Sequence, residues 1–231
     1  MKINIYELIA GAKKAEGLAV IIDVFRAFTT ACYLFANGAE NVYTVSKIET
    51  ALKLKSKLDR PVLVGERGGK KLKGFDFGNS PYLIDQHDFS KKEIVLTTSS
   101  GTKGIISAEN AEQIITGSFV NSASVAQYIK KISPEEVSLV AMGIGGEKRA
   151  EEDLSCAVHL KNLLLGNKVI ERKELIDRLQ KSTGRRFFAD DTQADMPEED
   201  FYYSLDFDKF DFVLKAEKQG EDIFELTKIS L

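Results

Sequence analysis

The chain has 231 residues, 43% hydrophobic and 29% charged, with a net charge of −3, two cysteines and two histidines. That length buries a core without disulfide or metal staples, and the charge balance offers no basic arm or stripe, so nucleic acid is not an expected partner. Cys32 and Cys156 lack ligand spacing, and His87 and His159 stand alone, which excludes a disulfide framework and a histidine-rich metal site.

The N-terminal residues Met1–Ile5 enter a short strand-like run directly. No signal peptide is evident, and no apolar run approaches the roughly 20 residues that span a bilayer. A cytoplasmic protein without a membrane partner is expected; self-association into a homo-oligomer is left open. Strands are predicted at Leu18–Asp23, Asn41–Val45, Pro61–Val64, Glu93–Thr97, Gln113–Thr116 and Val137–Met142. Several are almost wholly apolar, as strands covered on both faces are. Helices are predicted between them at Ala27–Asn37, Lys47–Leu58, Thr102–Glu109, Ser122–Ile132, Glu147–Leu165 and Arg172–Ser182. Asn37-Gly38 closes the first helix, Ser46 with Glu49 forms a capping-box pattern, and Ser133-Pro134 ends another helix. The alternation predicts a single α/β domain over residues 1–231: a three-layer α/β/α arrangement with a mixed, largely parallel sheet.

Two stretches, Leu18–Leu52 and Glu93–Ala126, share one order of strand, polar loop, helix, strand and helix. Ala39-Glu40 aligns with Ala111-Glu112, and Thr30 with Thr102. This order fits two similar halves, about residues 1–85 and 86–185, and equally two unrelated βαβ units. From Ala189 to Phe212 the chain is acidic and aromatic, and the final fifty or so residues are expected to form short, irregular strands and loops.

In such sheets ligands bind in the loops beyond the strands' carboxyl ends. Asp23 ends an apolar strand, and Arg26 follows three residues later, either as its structural partner or as part of a site. Gly65-Glu66-Arg67-Gly68-Gly69 places an acid and a base among glycines that permit close backbone approach. The Lys70-Lys71-Leu72-Lys73 cluster beyond it reads as solvated surface. Gly78-Asn79-Ser80-Pro81 is a turn of small hydrogen-bonding groups. Thr98-Ser99-Ser100-Gly101-Thr102 sets four hydroxyls before a helix N-terminus, as an anion cradle or as plain caps, and Gly117–Ser122, with Asn121, is a weaker copy. On a helix through Glu147–Leu165, Asp153 falls within the apolar arc and Glu152 at its edge, so Asp153 is expected to face a polar cavity.

Hard oxygen ligands with few histidines suit Mg2+, and arginines suit a phosphate, carboxylate or sulfonate. Phosphatase loops built on paired aspartates or on cysteine are absent: Phe25 stands two residues after Asp23, and Asn162 six after Cys156. Cys156 reads as a small buried residue.

Five motifs in order, Ile22–Thr30, Gly65–Gly69, Gly78–Pro81, Thr97–Thr102 and Glu152–Ala157, resemble the 2-phosphosulfolactate phosphatase family along almost the whole chain. The resemblance implies a Mg2+-dependent acid phosphatase with a three-layer fold of two similar halves. Its reaction would release phosphate from (R)-2-phospho-3-sulfolactate, a step in coenzyme M biosynthesis, or from phosphate esters of other 2-hydroxy acids. Phe25, Phe28 and Ser99-Ser100 depart from the usual pattern and bear on substrate identity. The expected catalytic residues are Asp23, Arg26, Glu66 and Arg67, with Asp23, Glu66 and Asp153 holding Mg2+. Thr29, Thr30, Asn79, Ser80, Ser99, Ser100, Gly101, Thr102 and Asn121 are expected to bind a small anionic substrate. The attacking group is either water or Asp23 itself. A non-catalytic organic-acid or phosphate-binding protein is the alternative, which phosphate release would exclude.

Overall fold

A computed structural model describes residues 1–231. Its strands are β1 (Lys2–Glu7), β2 (Leu18–Ile22), β3 (Asn41–Val45), β4 (Pro61–Arg67), β5 (Lys70–Lys71), β6 (Glu93–Thr97), β7 (Gln113–Gly117), β8 (Glu136–Ala141), β9 (Phe212–Gly220) and β10 (Ile223–Ser230). The α-helices are α1 (Leu8–Ala12), α2 (Ala27–Ala36), α3 (Ile48–Lys55), α4 (Pro81–Ile84), α5 (Gly101–Ser107), α6 (Ser122–Ile132), α7 (Glu151–Leu165), α8 (Arg172–Lys181) and α9 (Glu198–Ser204). Short 3-10 turns lie at Phe119–Asn121, Thr183–Phe188 and Asp190–Thr192. No helix is long and apolar enough to cross a membrane.

One ten-stranded sheet holds the molecule, in the order β1-β8-β2-β7-β9-β10-β3-β6-β4-β5. The strands β1, β8, β2 and β7 run parallel to one another, as do β3, β6 and β4. Between these blocks lies the β9–β10 hairpin, antiparallel to β7 on one side and to β3 on the other. The expected irregular C-terminal segment is therefore corrected: its end is the centre of the sheet. The reason is a period of two. Phe212, Leu214 and Ala216 of β9, with Phe224 and Leu226 of β10, turn one way into a buried core, while Lys215, Glu217 and Glu225 turn the other.

That core also takes Ala19 and Ile21 of β2, Ile94 and Leu96 of β6, and Phe28, Ala31 and Leu34 of α2. On the opposite face Val20, Ile22, Ile115 and Leu139 pack against Val125 and Ile129 of α6 and Leu160 of α7. Val45, Leu63 and Val95 pack against Ala51 of α3 on that side. Helices thus cover both faces, the three-layer arrangement expected.

Exchanging β2, β3 and β4 for β6, β7 and β8, and β9 for β10, turns the order of the central eight strands into its own reverse. The stretches that share an element order in the sequence interleave: β2 pairs with β7, and β3 with β6. Five pairings separate β2 from β6, and at about 20–25° of twist each they rotate one strand against the other by about 100° or more. The loops after both strands consequently meet over one face.

Two local expectations change. The Ser46–Glu49 capping box does not form; the Asp222 carboxylate, from the turn of the hairpin, accepts the backbone N–H of Ser46 and of Lys47 at 3.1 Å instead. The helix expected from Glu147 starts at Glu151, because residues 144–148 close a turn through Ile144 N–H to Lys148 O at 2.8 Å. Gly143 enters that turn at φ +67°, where a Cβ would lie 2.2 Å from Lys148 O, so only glycine fits.

If the hairpin is the sheet's centre, Leu214→Ala, at a fully buried position, costs about 2–5 kcal/mol in urea unfolding. Lys218→Ala, at the exposed end of the same strand, should stay within about 0.5 kcal/mol. Equal effects at the two positions would contradict this placement.

Candidate active site

Asp23 follows the last residue of β2 into the interior and is 5% exposed. One carboxyl oxygen accepts the Ala27 N–H at 3.1 Å, at the start of α2. Burial pushes its pKa up to about 7, opposed by the N–H groups of Ala27 and Gly101 and reinforced by the charges of Glu66 and Glu152. The start of α5 packs against the start of α2 here. A Cβ on Gly101 would lie 2.8 Å from Ala27 Cβ and 3.0 Å from Asp23 Oδ2, so Gly101 provides the close approach and not a ligand contact.

Glu66, near the end of β4, braces the loop after β6. Its Oε1 accepts the Ser99 N–H at 2.6 Å; its Oε2 accepts the Ser99 hydroxyl at 3.0 Å and the Gly69 N–H at 2.7 Å. Ser100 donates to Gly143 O at 2.7 Å, and Thr102 to Thr98 O at 3.0 Å. The hydroxyls expected to cradle an anion are thus turned to acceptors of the protein, and their loop is a rigid, internally satisfied wall.

Both arginines differ from expectation. Arg26 pairs not with Asp23 but with Asp200 of α9, at 2.6 Å, and also donates to Asp195 O and Gly69 O. Asp200 in turn accepts the Ser80 hydroxyl at 2.7 Å and the Tyr82 N–H at 3.1 Å, which draws Ser80 into the structure and out of the cavity. Arg67 faces away: it donates to Glu66 O, Ser46 O and Thr97 Oγ1. A guanidinium satisfied by three oxygens across the sheet edge has no reach into the cavity.

Asp153 is also corrected. Its oxygens accept the Val24 N–H at 2.8 Å and the Gly143 N–H at 2.7 Å, so it ties the loop after β2 to the loop after β8. Burial beside Asp23 and Glu152 raises its pKa well above the usual carboxylate range. Because α7 begins at Glu151, the neighbouring Glu152 reaches the cavity in its place, accepting a bond from Thr183 and lying 3.5 Å from Arg186. No three His, Cys, Asp or Glu side chains converge as a metal cluster. The donor set still fits Mg2+, which is commonly held by one or two carboxylates with water and substrate phosphate. Asp23, with the N–H groups of Ala27 and Gly101 beside it, keeps about two of roughly four lone-pair sites open, and Glu66, with three donors, keeps about one.

The cavity enclosed by these loops holds about 380 Å³. Asp23, Arg26, Glu66, Asn79, Ser99 and Ser100 line it, as expected of a shared site. Thr29, bonded to Val24 O and Ser118, and Asn121, bonded to Ser118 N–H and Phe212 O, are structural instead. Thr30 and Thr102 are buried outside the lining. Cys156 is buried too, and burial raises its thiol pKa well above the usual range. Lining residues that sequence reasoning missed are Lys103, Arg186, Ile144 and Met196. Lys103 directly follows the hydroxyl loop, which is a readable signal; Arg186 lies in a 3-10 turn without periodicity and offers none. Two buried polar atoms of the lining have no partner, Asn79 Oδ1 and Arg186 Nε.

Asp23 has a stability signature. Between the ordinary value of 3.8 and about 7 the folded protein keeps a proton that the unfolded chain has released. Stability therefore falls as pH rises through that window, by up to about 4 kcal/mol, and levels off above it. Asp23→Asn should flatten this limb and raise urea stability at pH 8. A variant less stable than the parent at pH 8 would contradict a buried, strained carboxylate.

Known proteins carry the same chain pattern. A family model described as 2-phosphosulpholactate phosphatase matches residues 3–219. A probable 2-phosphosulfolactate phosphatase of Bacillus subtilis is 30% identical over 223 residues, covering 96% of each chain. A protein of the same description from Carboxydothermus hydrogenoformans is 39% identical over 173 residues, covering 74% of this chain and 71% of that one. Another, from Thermotoga petrophila, is 41% identical over 145 residues, covering 63% and 62%. With the match running from the first strand into the central hairpin, the chain belongs to the 2-phosphosulpholactate phosphatase family.

Proposed function

We propose that the protein is a Mg2+-dependent phosphatase that releases phosphate from 2-phospho-3-sulfolactate or a related 2-phospho hydroxy acid. It would work in the cytoplasm, with chemistry of the kind used in coenzyme M biosynthesis. Family membership supports the reaction class. The observation that carries the reading at the site is Asp23: a buried carboxyl held near neutrality on a cavity that also presents Lys103 and Arg186.

Each lining group then has a task. Lys103 supplies a mobile positive charge for the phosphate. Phe25, Ile144 and Met196 shed water from the reacting centre, which strengthens the electrostatics inside. The bond from Ser100 to Gly143 O and those from Ser99 to Glu66 keep the wall fixed as charge moves. Asp23, raised to about 7 by burial while no cation is beside it, is suited to exchange its proton for the metal ion. Mg2+, held by Asp23 and Glu66, would neutralise charge on the phosphoryl oxygens.

The test is phosphate release from 2-phospho-3-sulfolactate and 2-phospholactate with and without Mg2+. Release that needs the ion and falls about 10²–10⁴-fold in Asp23→Asn is expected; no release from any 2-phospho acid would sink the reading. Protons and Mg2+ should also compete at Asp23. Apparent Mg2+ affinity, followed by calorimetry, should fall about tenfold per pH unit below 7 and be flat above it. A pH-independent affinity between about pH 5.5 and 8 would remove Asp23 from the metal site.

A further inference from the structure

Arg186 is the less committed of the two guanidinium groups that line the cavity. It sits in the 3-10 turn Thr183–Phe188, with its Nη2 donating to Phe25 O at 3.2 Å. Its guanidinium carbon lies 5.9 Å from the centroid of the Phe25 ring and 5.4 Å from that of Phe187. The rings and the carbonyl fix its position. Its ion pair with Glu152 is long, at 3.5 Å, where Arg26 has Asp200 at 2.6 Å. Its Nη1 makes no hydrogen bond within the protein, where Nη2 makes both, and its Nε–H, too deep for solvent to reach, has no acceptor.

A guanidinium whose Nη1 meets no protein acceptor has donors left for a ligand oxygen. The other cations offer less. Arg26 is committed to Asp200, Asp195 O and Gly69 O, and Arg67 is outside the cavity. Lys103 is a point charge without a planar fork. A 2-phospho acid brings two kinds of anionic group. Its phosphate belongs beside Asp23, leaving a carboxylate or sulfonate to be recognised. We infer that Arg186 is the specificity-determining residue that binds this second anionic group. The inference rests on the phosphatase reading only for which of the two anions comes second.

Calorimetry on the full chain with Mg2+ tests it, using 3-sulfolactate, lactate, isethionate and inorganic phosphate as probes. In Arg186→Gln the affinity for 3-sulfolactate should fall about 100-fold, while that for phosphate stays within about twofold. Arg186→Lys, which keeps the charge and much of the stem, should lose about tenfold for 3-sulfolactate and carries the test if the glutamine variant does not fold. Loss confined to lactate assigns a carboxylate to Arg186; loss confined to isethionate assigns a sulfonate. In turnover, KM for the 2-phospho acid should rise in the variants by more than KM for p-nitrophenyl phosphate, which lacks a second anion. Equal losses for phosphate and 3-sulfolactate, no loss, or no binding of 3-sulfolactate by the parent would each overturn the inference. Absence of phosphate release with Arg186-dependent binding of 3-sulfolactate would defeat the phosphatase reading alone.

Discussion

Arg26 and Asp200 meet at 2.6 Å with 3% and 0% of their side chains exposed, and the walls of the cavity are assembled around that contact. Arg26 comes from the loop after β2. Asp200 comes from α9, far along the chain, and also holds Ser80 and the Tyr82 N–H at the start of α4. The same guanidinium takes in Gly69 O from the glycine loop after β4 and Asp195 O from the segment before α9. Three loops and one helix are thus keyed to one cation. A buried pair adds little net stability over apolar packing, but removing one partner costs about 3–5 kcal/mol, because the other charge stays buried. The pair therefore specifies where α9 docks more than how firmly the domain folds.

Around that key the chain places more acid than a buried region tolerates at rest. Asp23 and Asp153 lie in one neighbourhood with Glu152, and burial raises the pKa of all three. Asp153 is eased by two backbone N–H groups, Glu152 by Arg186 and Thr183, and Glu66 by three donors. Asp23 has the N–H groups of Ala27 and Gly101 and no cation. The strain thus falls on a carboxyl that faces the cavity with open lone pairs, where a cation or a proton relieves it. The proposed metal and a multiply charged product would both call for such an unsatisfied centre.

The legible parts of the sequence were those set by local physics. β3 and β6 lie where their apolar runs predict, and Asp23 stood out because an acid ends a wholly apolar strand. Gly65–Gly69 and Asn79 were readable as loop chemistry. What escaped was set by tertiary direction. Arg67 and Asp153 have the right residue type in the right loop, yet their side chains turn to oxygen or nitrogen atoms of neighbouring elements. The same spacing fits either orientation. The hairpin was partly written: Phe212, Leu214 and Ala216 alternate, but Val213 between the first two is also buried, and the charged run from Glu217 and the acidic stretch before Phe212 masked the strand. Arg186 had no local signal, since its role depends on Phe25 and Phe187 lying beneath it.

The interleaving of the sheet explains why the site is where it is. One parallel block supplies Asp23 after β2 and the Gly143–Ile144 turn after β8; the other supplies Glu66 at the end of β4 and Ser99 and Ser100 after β6. Neither block alone holds both an open carboxylate and the wall that braces it. The blocks run in opposite directions, because three antiparallel pairings separate them. Only sheet twist brings their loops to one face. The hairpin that sets this relation is the last part of the chain. The residues just before it, from Thr183 to Ser204, supply Arg186, Met196 and Asp200 to the cavity or its wall. A chain lacking that final stretch would keep every strand-end motif and still have no enclosed site, so the chemistry belongs to the closure of the sheet rather than to any one loop.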